Sequence, residues 1–228
     1  MSDVLQQIKG GLIVSCQALD DEPLHGPILM GAMAFAAKEG GAIGIRANGA
    51  RDIVVIKAMT GLPVIGIDKQ DGPDGQLRIT PTFESARKLV EAGADIVAFC
   101  ARSTHPREMT TKEFVALVKG KLNCLLMADV ATIEDAVNAE KAGVDLVAPT
   151  FGFVERNGIA EMNWDLLKAM TRELKVPVIA EGGIWDPKDA YRALELGAHA
   201  VVVGSAITRP QLITKRFVMA MRSAQKSF

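Results

Sequence analysis

Residues 91–99 read Glu91-Ala92-Gly93-Ala94-Asp95-Ile96-Val97-Ala98-Phe99, which is the polar end of a helix-like stretch, a glycine and then an unbroken apolar run. Glycine suits a helix end because it adopts φ > 0 without a Cβ penalty. The same phrase recurs three times, with its glycine at positions 40, 143 and 197, so successive glycines lie 53, 50 and 54 residues apart. A repeat of this length has room for two strand–helix units.

Four more apolar runs lie between those that follow the glycines, which makes eight in all. They are residues 12–14, 43–45, 64–67, 96–99, 125–127, 146–148, 178–180 and 200–203. Unbroken apolar runs are typical of strands covered on both faces in a parallel sheet, and their alternation with helices indicates the α/β class. Four repeats of two units predict a closed (β/α)8 barrel, the TIM barrel, in preference to an open doubly wound sheet.

Composition restricts the setting in which the chain works. No linker divides its 228 residues, so we expect residues 1–228 to form one TIM-barrel domain. The formal net charge of −1 gives no field for nucleic acid or a membrane surface, and no apolar run reaches the roughly 20 residues of a membrane span. Three widely spaced cysteines and an N-terminus without signal-peptide features indicate a cytoplasmic protein.

In such a barrel the active site forms where the strands end. Polar residues follow the apolar runs, and because all eight strand ends meet at one mouth we expect these residues to share a site. They are Ser15, Gln17, Arg46, Asp68, Lys69, Cys100, Arg102, Asp129, Thr150, Glu181, Gly204 and Ser205.

Lys69 follows the third apolar run and is a candidate for proton transfer. Side chains alternate along a strand, so if Lys69 faces the mouth then Asp68 faces the helices. A partly dehydrated mouth disfavours the ammonium form, which lowers the lysine pKa and suits it to acid/base work. The alternative is a solvated lysine at the entry to a loop, because residues 70–81 have turn chemistry.

Two carboxylates follow later runs. Glu181 needs a partner or a role at the end of a buried strand, and it can orient a substrate hydroxyl or exchange a proton opposite Lys69. The alternative for Glu181 is a salt bridge to Arg46 or Arg209. Asp129 allows the same roles, or it can close the start of the next helix.

Two glycine-containing turns follow the seventh and eighth runs, with Gly182 and Gly183 in one and Gly204 and Ser205 in the other. Backbone N–H groups at these two strand ends often hold a phosphate, and glycine lets the backbone approach it closely. The alternative is a pair of ordinary tight turns. The histidines have no metal-ligand spacing, and no dinucleotide fingerprint or P-loop occurs, so we expect neither metal nor cofactor.

Blocks spread over nearly the whole chain resemble the N-acetylmannosamine-6-phosphate 2-epimerases. They include Gly11-Leu12-Ile13-Val14-Ser15-Cys16-Gln17, Ile79-Thr80-Pro81-Thr82, Met127-Ala128-Asp129, Ile179-Ala180-Glu181-Gly182 and Val203-Gly204-Ser205-Ala206-Ile207-Thr208-Arg209-Pro210. The resemblance implies a metal-free and cofactor-free TIM-barrel enzyme of amino-sugar and sialic-acid breakdown. Its reaction would interconvert the 6-phosphates of N-acetylmannosamine and N-acetylglucosamine.

The resemblance also implies roles for individual residues. Lys69 matches the lysine that moves the C2 proton, and Glu181 matches its carboxylate partner. Substrate-contacting or supporting positions fall on Gln17, Arg46, Asp129 and Arg209, and the phosphate-binding loops contain Gly183, Gly204 and Ser205. The C2 proton of the open sugar lies beside an aldehyde, so its removal gives an enolate and requires only acid/base and electrostatic help.

Some positions depart from the family pattern. Cys100-Ala101-Arg102 replaces a common Asp-Ala-Thr, residues 149–153 differ, and Gly183 stands where the family commonly has a phosphate-clamping arginine. A different sugar phosphate, a Schiff-base aldolase acting through Lys69 and a non-catalytic sugar-phosphate binder therefore remain alternatives. The apolar C-terminal segment from Leu212 can cap the barrel or meet a second copy in a homodimer.

Overall fold

A computed structural model describes residues 3–72, 75–103, 109–156 and 158–225. Its main sheet has eight parallel strands, and each overlaps one predicted apolar run. They are β1 (Leu12–Cys16), β2 (Gly44–Asn48), β3 (Val64–Ile67), β4 (Ile96–Cys100), β5 (Leu125–Asp129), β6 (Leu146–Ala148), β7 (Ile179–Ala180) and β8 (Ala200–Val203). The order is β7-β8-β1-β2-β3-β4-β5-β6, and a parallel bridge from Val147 to Val178 joins the two outer strands. The predicted (β/α)8 barrel is confirmed.

Helices surround the barrel and follow its strands. They are α1 (Asp3–Gln7), α2 (Pro27–Glu39), α3 (Ala50–Thr60), α4 (Phe83–Glu91), α5 (Thr111–Lys121), α6 (Ile133–Ala142), α7 (Trp164–Glu173), α8 (Pro187–Glu195), α9 (Ser205–Thr208) and α10 (Pro210–Gln225). Side-chain caps fix several starting points: Thr82, Thr110 and Thr132 each accept a hydrogen bond from the backbone N–H three residues later. No described helix is long and apolar enough to cross a membrane.

The glycines of the repeat end helices as predicted, with one correction. Gly93, Gly143 and Gly197 have φ of 101°, 97° and 93°. In the first repeat Gly40 has φ of −74°, and Gly41 takes the left-handed conformation at 95°. The prediction of positive φ at Gly40 is therefore wrong by one residue, because two adjacent glycines made the helix end ambiguous in the sequence.

The core has two layers, which follow from the alternation of side chains along each strand. The inner cluster fills the barrel with residues such as Ile13, Ile65, Met127 and Val202. The outer cluster packs the other strand faces against the helices. Both layers are apolar below the mouth, so polar chemistry is concentrated where the strands end.

Two antiparallel hairpins extend from the carboxyl ends of the strands. One pairs Lys69–Asp71 with Leu77–Ile79, and the other pairs Val154–Arg156 with Ile159–Glu161. The sequence predicted a loop at residues 70–81, so the first hairpin corrects that interpretation. Each is only three residues a strand, which is too short for a periodic pattern to reveal.

Candidate active site

A cavity of about 350 Å³ opens at the carboxyl ends of the barrel strands. Nine of the ten residues predicted for the site line this cavity; strand ends, both glycine turns, the first hairpin and the segment between α9 and α10 contribute them. They are Gln17, Arg46, Lys69, Glu181, Gly182, Gly183, Gly204, Ser205 and Arg209. The tenth, Asp129, is fully buried and lies behind Arg46. The structure therefore brings the predicted residues together around one mouth.

Arg46, at the third position of β2, organises the floor of this cavity. Its Nη1 and Nη2 atoms donate to the two carboxylate oxygens of Asp129 at 3.1 and 2.6 Å. Nη1 also donates to Oε2 of Glu181. The Arg46 side chain is 1% exposed, so its charge is neutralised inside the protein by these two carboxylates. The salt bridge from Glu181 to Arg46, which the sequence left open, is present.

Asp129 supports Arg46 and does not close the next helix. Thr150 Oγ1 donates to Oδ1 of Asp129 at 2.6 Å, so this carboxylate has a partner on β2 and another just after β6. Helix α6 is capped by Thr132 instead, whose hydroxyl accepts from the Asp135 N–H at 3.1 Å. The alternative of a helix-closing role for Asp129 is therefore wrong.

Lys69 enters the mouth from the first residue of the first hairpin. Its backbone N–H donates to the Asn48 side-chain oxygen at 2.9 Å. Within the part of the chain that the structure describes, no side chain or carbonyl accepts a hydrogen bond from Nζ of Lys69. Asp68, by contrast, accepts from Gln70, which also donates to Ser85 of α4, so the two neighbouring side chains diverge as predicted.

Lys69 and Glu181, which both line the cavity, have pKa values displaced toward neutral pH. Burial, together with the positive charges of Arg46 and Arg209, lowers the pKa of Lys69 to about 8. Burial raises the pKa of Glu181 to about 7; Arg46 opposes this rise and Asp129 adds to it. Both groups can thus gain or lose a proton near neutral pH, which an acid/base catalyst requires.

The glycine turns after β7 and β8 form one side of the cavity. Gly182 and Gly183 have φ of 105° and 80°. A Cβ on Gly183 would lie 2.4 Å from the carbonyl carbon of Glu161, and the Gly183 oxygen accepts from the Met162 N–H at 3.1 Å. This turn is therefore packed directly against the second hairpin, and that contact explains why a side chain is missing at residue 183.

A further cation reaches the cavity from the segment between α9 and α10. Arg209 lines the cavity, and its Nη2 donates to Oε2 of Glu22 at 2.9 Å. Glu22 is held in turn by the Leu19 N–H and the Gln211 amide, at 2.8 and 3.0 Å. The guanidinium is thus oriented by a carboxylate that is itself fixed.

The departures from the family pattern fall in different environments. Cys100 is 1% exposed and belongs to the inner core, away from the cavity lining. The Arg102 guanidinium stacks over the Phe151 ring, 4.3 Å from its centroid, and Phe151 lines the cavity with Phe153. In the described ranges, no three His, Cys, Asp or Glu side chains are close enough to hold a metal ion.

Sequence reasoning missed three residues that support the site: Asn48, Glu22 and Thr80. Asn48 and Glu22 act through a single hydrogen bond to another site residue, which leaves no pattern in a single sequence. Thr150 appeared among the strand-end residues, but its bond to Asp129 was not foreseen. Two signals were available in the sequence: Asn48 is a polar residue that ends β2, and Thr80 lies in a block that resembles the family.

The chain is thus a (β/α)8-barrel protein of the kind that carries its site at the strand ends. Its mouth cavity contains two groups, Lys69 and Glu181, whose pKa values are displaced toward neutral pH. A family model described as "Putative N-acetylmannosamine-6-phosphate epimerase" matches residues 30–223. The chain belongs to this N-acetylmannosamine-6-phosphate epimerase family.

Individual relatives agree over almost their full lengths. Two proteins named "Putative N-acetylmannosamine-6-phosphate 2-epimerase" come from Caldanaerobacter subterraneus subsp. tengcongensis and Clostridioides difficile. The first is 48% identical and covers 99% of this chain and 97% of its own; the second is 45% identical and covers 96% and 99%. The solved structure of the N-acetylmannosamine-6-phosphate 2-epimerase from Clostridium perfringens superposes with a TM-score of 0.89 at 42% identity, covering 96% of each chain.

Proposed function

We propose that this protein epimerises C2 of N-acetylmannosamine 6-phosphate to give N-acetylglucosamine 6-phosphate, without a cofactor. The observation that carries the proposal is the position of two groups whose pKa values are displaced toward neutral pH, Lys69 and Glu181. Lys69 follows β3 and Glu181 follows β7, and these strands lie four apart in a ring of eight. A sugar bound between them would have one group near each face of C2. The family to which the chain belongs supports the same reaction.

Proton abstraction is the first chemical step that we assign to Lys69. With a pKa of about 8, roughly a tenth of the side chain is neutral at pH 7, compared with a far smaller fraction for an ordinary lysine. Neutral Nζ takes the C2 proton of the open-chain aldehyde, and the electron pair moves into an enolate. The positive charges of the newly formed Lys69 ammonium and of the Arg46 guanidinium then stabilise the enolate oxygen.

Return of a proton to the opposite face inverts C2, and we assign this step to Glu181. With a pKa of about 7 the carboxyl is protonated in a large fraction of molecules near neutral pH. It gives its proton to C2 and becomes a carboxylate, which Arg46 is placed to stabilise. Exchange with water then returns a proton to Glu181 and removes one from Lys69.

The phosphate is proposed to bind at the glycine turns. Gly182, Gly183, Gly204 and Ser205 line the same cavity as Arg209, and we assign their backbone N–H groups to the phosphate. Gly183 has no side chain to clamp a phosphate, so Arg209 is the cation that we assign to it. Backbone amides and one oriented guanidinium together can hold a phosphate dianion.

Deuterium exchange tests the reaction and separates the two catalytic groups. Incubation of either epimer in deuterated water, followed by NMR, should give both epimers with deuterium at C2. Lys69→Ala should abolish exchange into N-acetylmannosamine 6-phosphate, whereas Lys168→Ala, on the exposed face of α7, should not. Glu181→Gln should still exchange the C2 proton of one epimer but should interconvert the two far more slowly.

Four outcomes would count against the proposal. Lack of exchange with both epimers would refute the reaction. Full epimerisation by Glu181→Gln would mean that Lys69 serves both faces. A borohydride-trapped adduct on Lys69 would favour a Schiff-base aldolase, and tight calorimetric binding without turnover would favour a sugar-phosphate binder.

We also infer that the protein forms a homodimer through α10. This helix is exposed along most of its length, with Phe217 69% and Met221 66% exposed. An apolar cavity of about 390 Å³ lies on the outer side of the barrel, lined by Leu12, Val201 and Val203 together with residues of α8. In the other units a helix covers the strands there, so exchange of α10 between two copies would bury both surfaces.

A cytoplasmic location is the last part of the proposal. Cys16, Cys100 and Cys124 form no disulfide within the described residues. Cysteines outside disulfides are typical of proteins that work in reducing compartments.

A further inference from the structure

The backbone that carries Lys69 lies outside the barrel sheet. Lys69 opens the first hairpin and pairs with Ile79, and the hairpin has only three residues in each strand. A two-stranded hairpin has little stability of its own. The position of the Lys69 side chain therefore depends on what holds the base of this hairpin.

Thr80 anchors the base of the hairpin to β4. Its hydroxyl donates to the Ala98 carbonyl at 2.6 Å and accepts from the Asp68 N–H at 3.2 Å. Its own backbone N–H donates to the Asp68 carbonyl at 2.7 Å. Thr80 is completely buried, so water does not compete for these bonds. One side chain thus connects β4 to the residue immediately before Lys69.

The backbone of Thr80 adopts a conformation that its side chain disfavours. Its φ is +47°, and among the described residues it is the one non-glycine residue with positive φ. Branching at Cβ makes this region especially unfavourable, and Pro81 further restricts the preceding residue. Glycine or asparagine would meet the backbone requirement more easily. Threonine, unlike glycine, has a hydroxyl group that forms the hydrogen bonds to Ala98 and Asp68.

The other side of Lys69 is fixed independently. Asn48, at the end of β2, accepts a hydrogen bond from the Lys69 N–H at 2.9 Å. Residue 69 is therefore anchored toward β2 by Asn48 and toward β4 by Thr80. These two anchors hold the backbone from which the Lys69 side chain enters the mouth.

We propose that Thr80 is a positioning residue for proton transfer, and that its hydroxyl fixes the hairpin base so that Nζ of Lys69 meets C2 in one orientation. The inference rests on the proposed function, because it requires Lys69 to be the group that removes the C2 proton. It concerns a residue that lies outside the cavity lining and acts through the backbone at residues 68 and 69.

Thr80→Val and Thr80→Ser separate the hydroxyl from the shape of the side chain. Valine keeps the branching and removes both hydroxyl bonds, and we expect kcat to fall on the order of 10–100-fold, because small displacements of a catalytic group have effects of this size. KM should change little, since Thr80 does not line the cavity. Serine keeps the hydroxyl and should retain most of the activity.

Thr60 provides a matched control at the opposite end of the barrel. Its buried hydroxyl also donates to a carbonyl, that of Ile56 at 2.7 Å, and accepts from a backbone N–H, that of Leu62 at 3.2 Å. Thr60→Val loses the same two bonds far from the mouth. We expect a comparable fall in the melting temperature with an unchanged kcat per folded molecule.

The pH profile gives a readout that a purely structural role would not change. The charged groups that act on Lys69 in the mouth are Arg46, Arg209, Glu181 and Glu22. If Thr80→Val lets the lysine leave these surroundings for water, its pKa rises and the alkaline limb of kcat/KM should move to higher pH. In Thr60→Val and Thr80→Ser the limb should stay in place.

The outcomes distinguish this inference from the proposed function. Wild-type kcat and pH limb in Thr80→Val would overturn the positioning role, whereas deuterium exchange into N-acetylmannosamine 6-phosphate by Lys69→Ala would overturn the role of Lys69 itself. If Thr80→Val does not fold, Thr80→Gly accommodates the positive φ and also lacks the hydroxyl. The same loss of kcat is expected from it, and full activity in that variant would refute the inference.

Discussion

Arg46 and Asp129 form a two-pronged ion pair at the floor of the barrel mouth, with N–O distances of 3.1 and 2.6 Å and almost no exposure of either side chain. Glu181 binds the same guanidinium from the cavity side. The charges of Arg46 and Asp129 therefore act directly on the Glu181 carboxyl group in the cavity.

Asp129→Ala should destabilise the protein and also alter Glu181. Loss of one partner of a buried pair costs about 3–5 kcal/mol, and the lower end applies here because Glu181 still pairs with Arg46. The pKa of Glu181 should fall, since Asp129 helps to raise it. Urea unfolding gives the free energy, and the exposed pair of Glu84 and Arg87 is a control in which Glu84→Ala should have a much smaller effect. Equal losses in the two variants would contradict the prediction.

Glu181→Gln should change how stability depends on pH. The pKa of Glu181 is raised in the folded protein to about 7, so this group stabilises the fold at low pH and its contribution is lost as pH rises to about 7. Glutamine cannot ionise and still offers Arg46 an oxygen. Between pH 5 and pH 7.5 the free energy of unfolding of the variant should therefore improve relative to the wild type. Thermal or urea unfolding at several pH values measures this difference, and a constant difference would disprove the assignment.

Two substitutions near Lys69 should shift its titration in opposite directions. Arg209 lowers the pKa of Lys69 and Glu22 raises it. Turnover of N-acetylmannosamine 6-phosphate requires neutral Lys69 together with protonated Glu181, so kcat/KM should be bell-shaped, with an alkaline limb near pH 8 that follows the lysine pKa. Arg209→Gln should move the limb to higher pH and raise KM about tenfold through the lost phosphate contact. Glu22→Gln should move the limb to lower pH. A shift of the limb in the same direction in both variants would contradict this electrostatic account.

The sequence predicted the barrel because each strand carries its own signal, an unbroken apolar run after a glycine. It also predicted which residues meet at the mouth, since strand ends of a barrel converge. It could not predict that Asp129 lies behind Arg46, because burial depends on where the Arg46 side chain turns. The hairpin that carries Lys69 was missed for a similar reason: its turn residues resemble a loop, and the bonds of Thr80 that fix it join distant parts of the chain.

Gly183→Ala should be far more harmful than Gly158→Ala. Both glycines have positive φ, 80° and 73°, so alanine is strained at either site by about 1–2 kcal/mol. A Cβ at residue 158 meets nothing within 4 Å, whereas one at residue 183 would lie 2.4 Å from the Glu161 carbonyl carbon. We expect Gly183→Ala to displace the second hairpin and raise KM, with an additional stability loss measured by thermal unfolding. Similar losses in both variants would show that the contact with the hairpin is unimportant.

Phe217→Asp should dissociate the homodimer without unfolding the barrel. Phe217 is 69% exposed on α10, so in a monomer the aspartate would simply be solvated and cost little stability. If α10 lies in the apolar cavity of a second copy, the same change buries a carboxylate against residues such as Leu12 and Val203, which is strongly unfavourable. Val54→Asp, at a position 53% exposed on α3, is the matched control and should remain dimeric. Sedimentation velocity at micromolar concentration measures the mass of each, and a monomeric wild type or a dimeric Phe217→Asp variant would refute the exchange of α10.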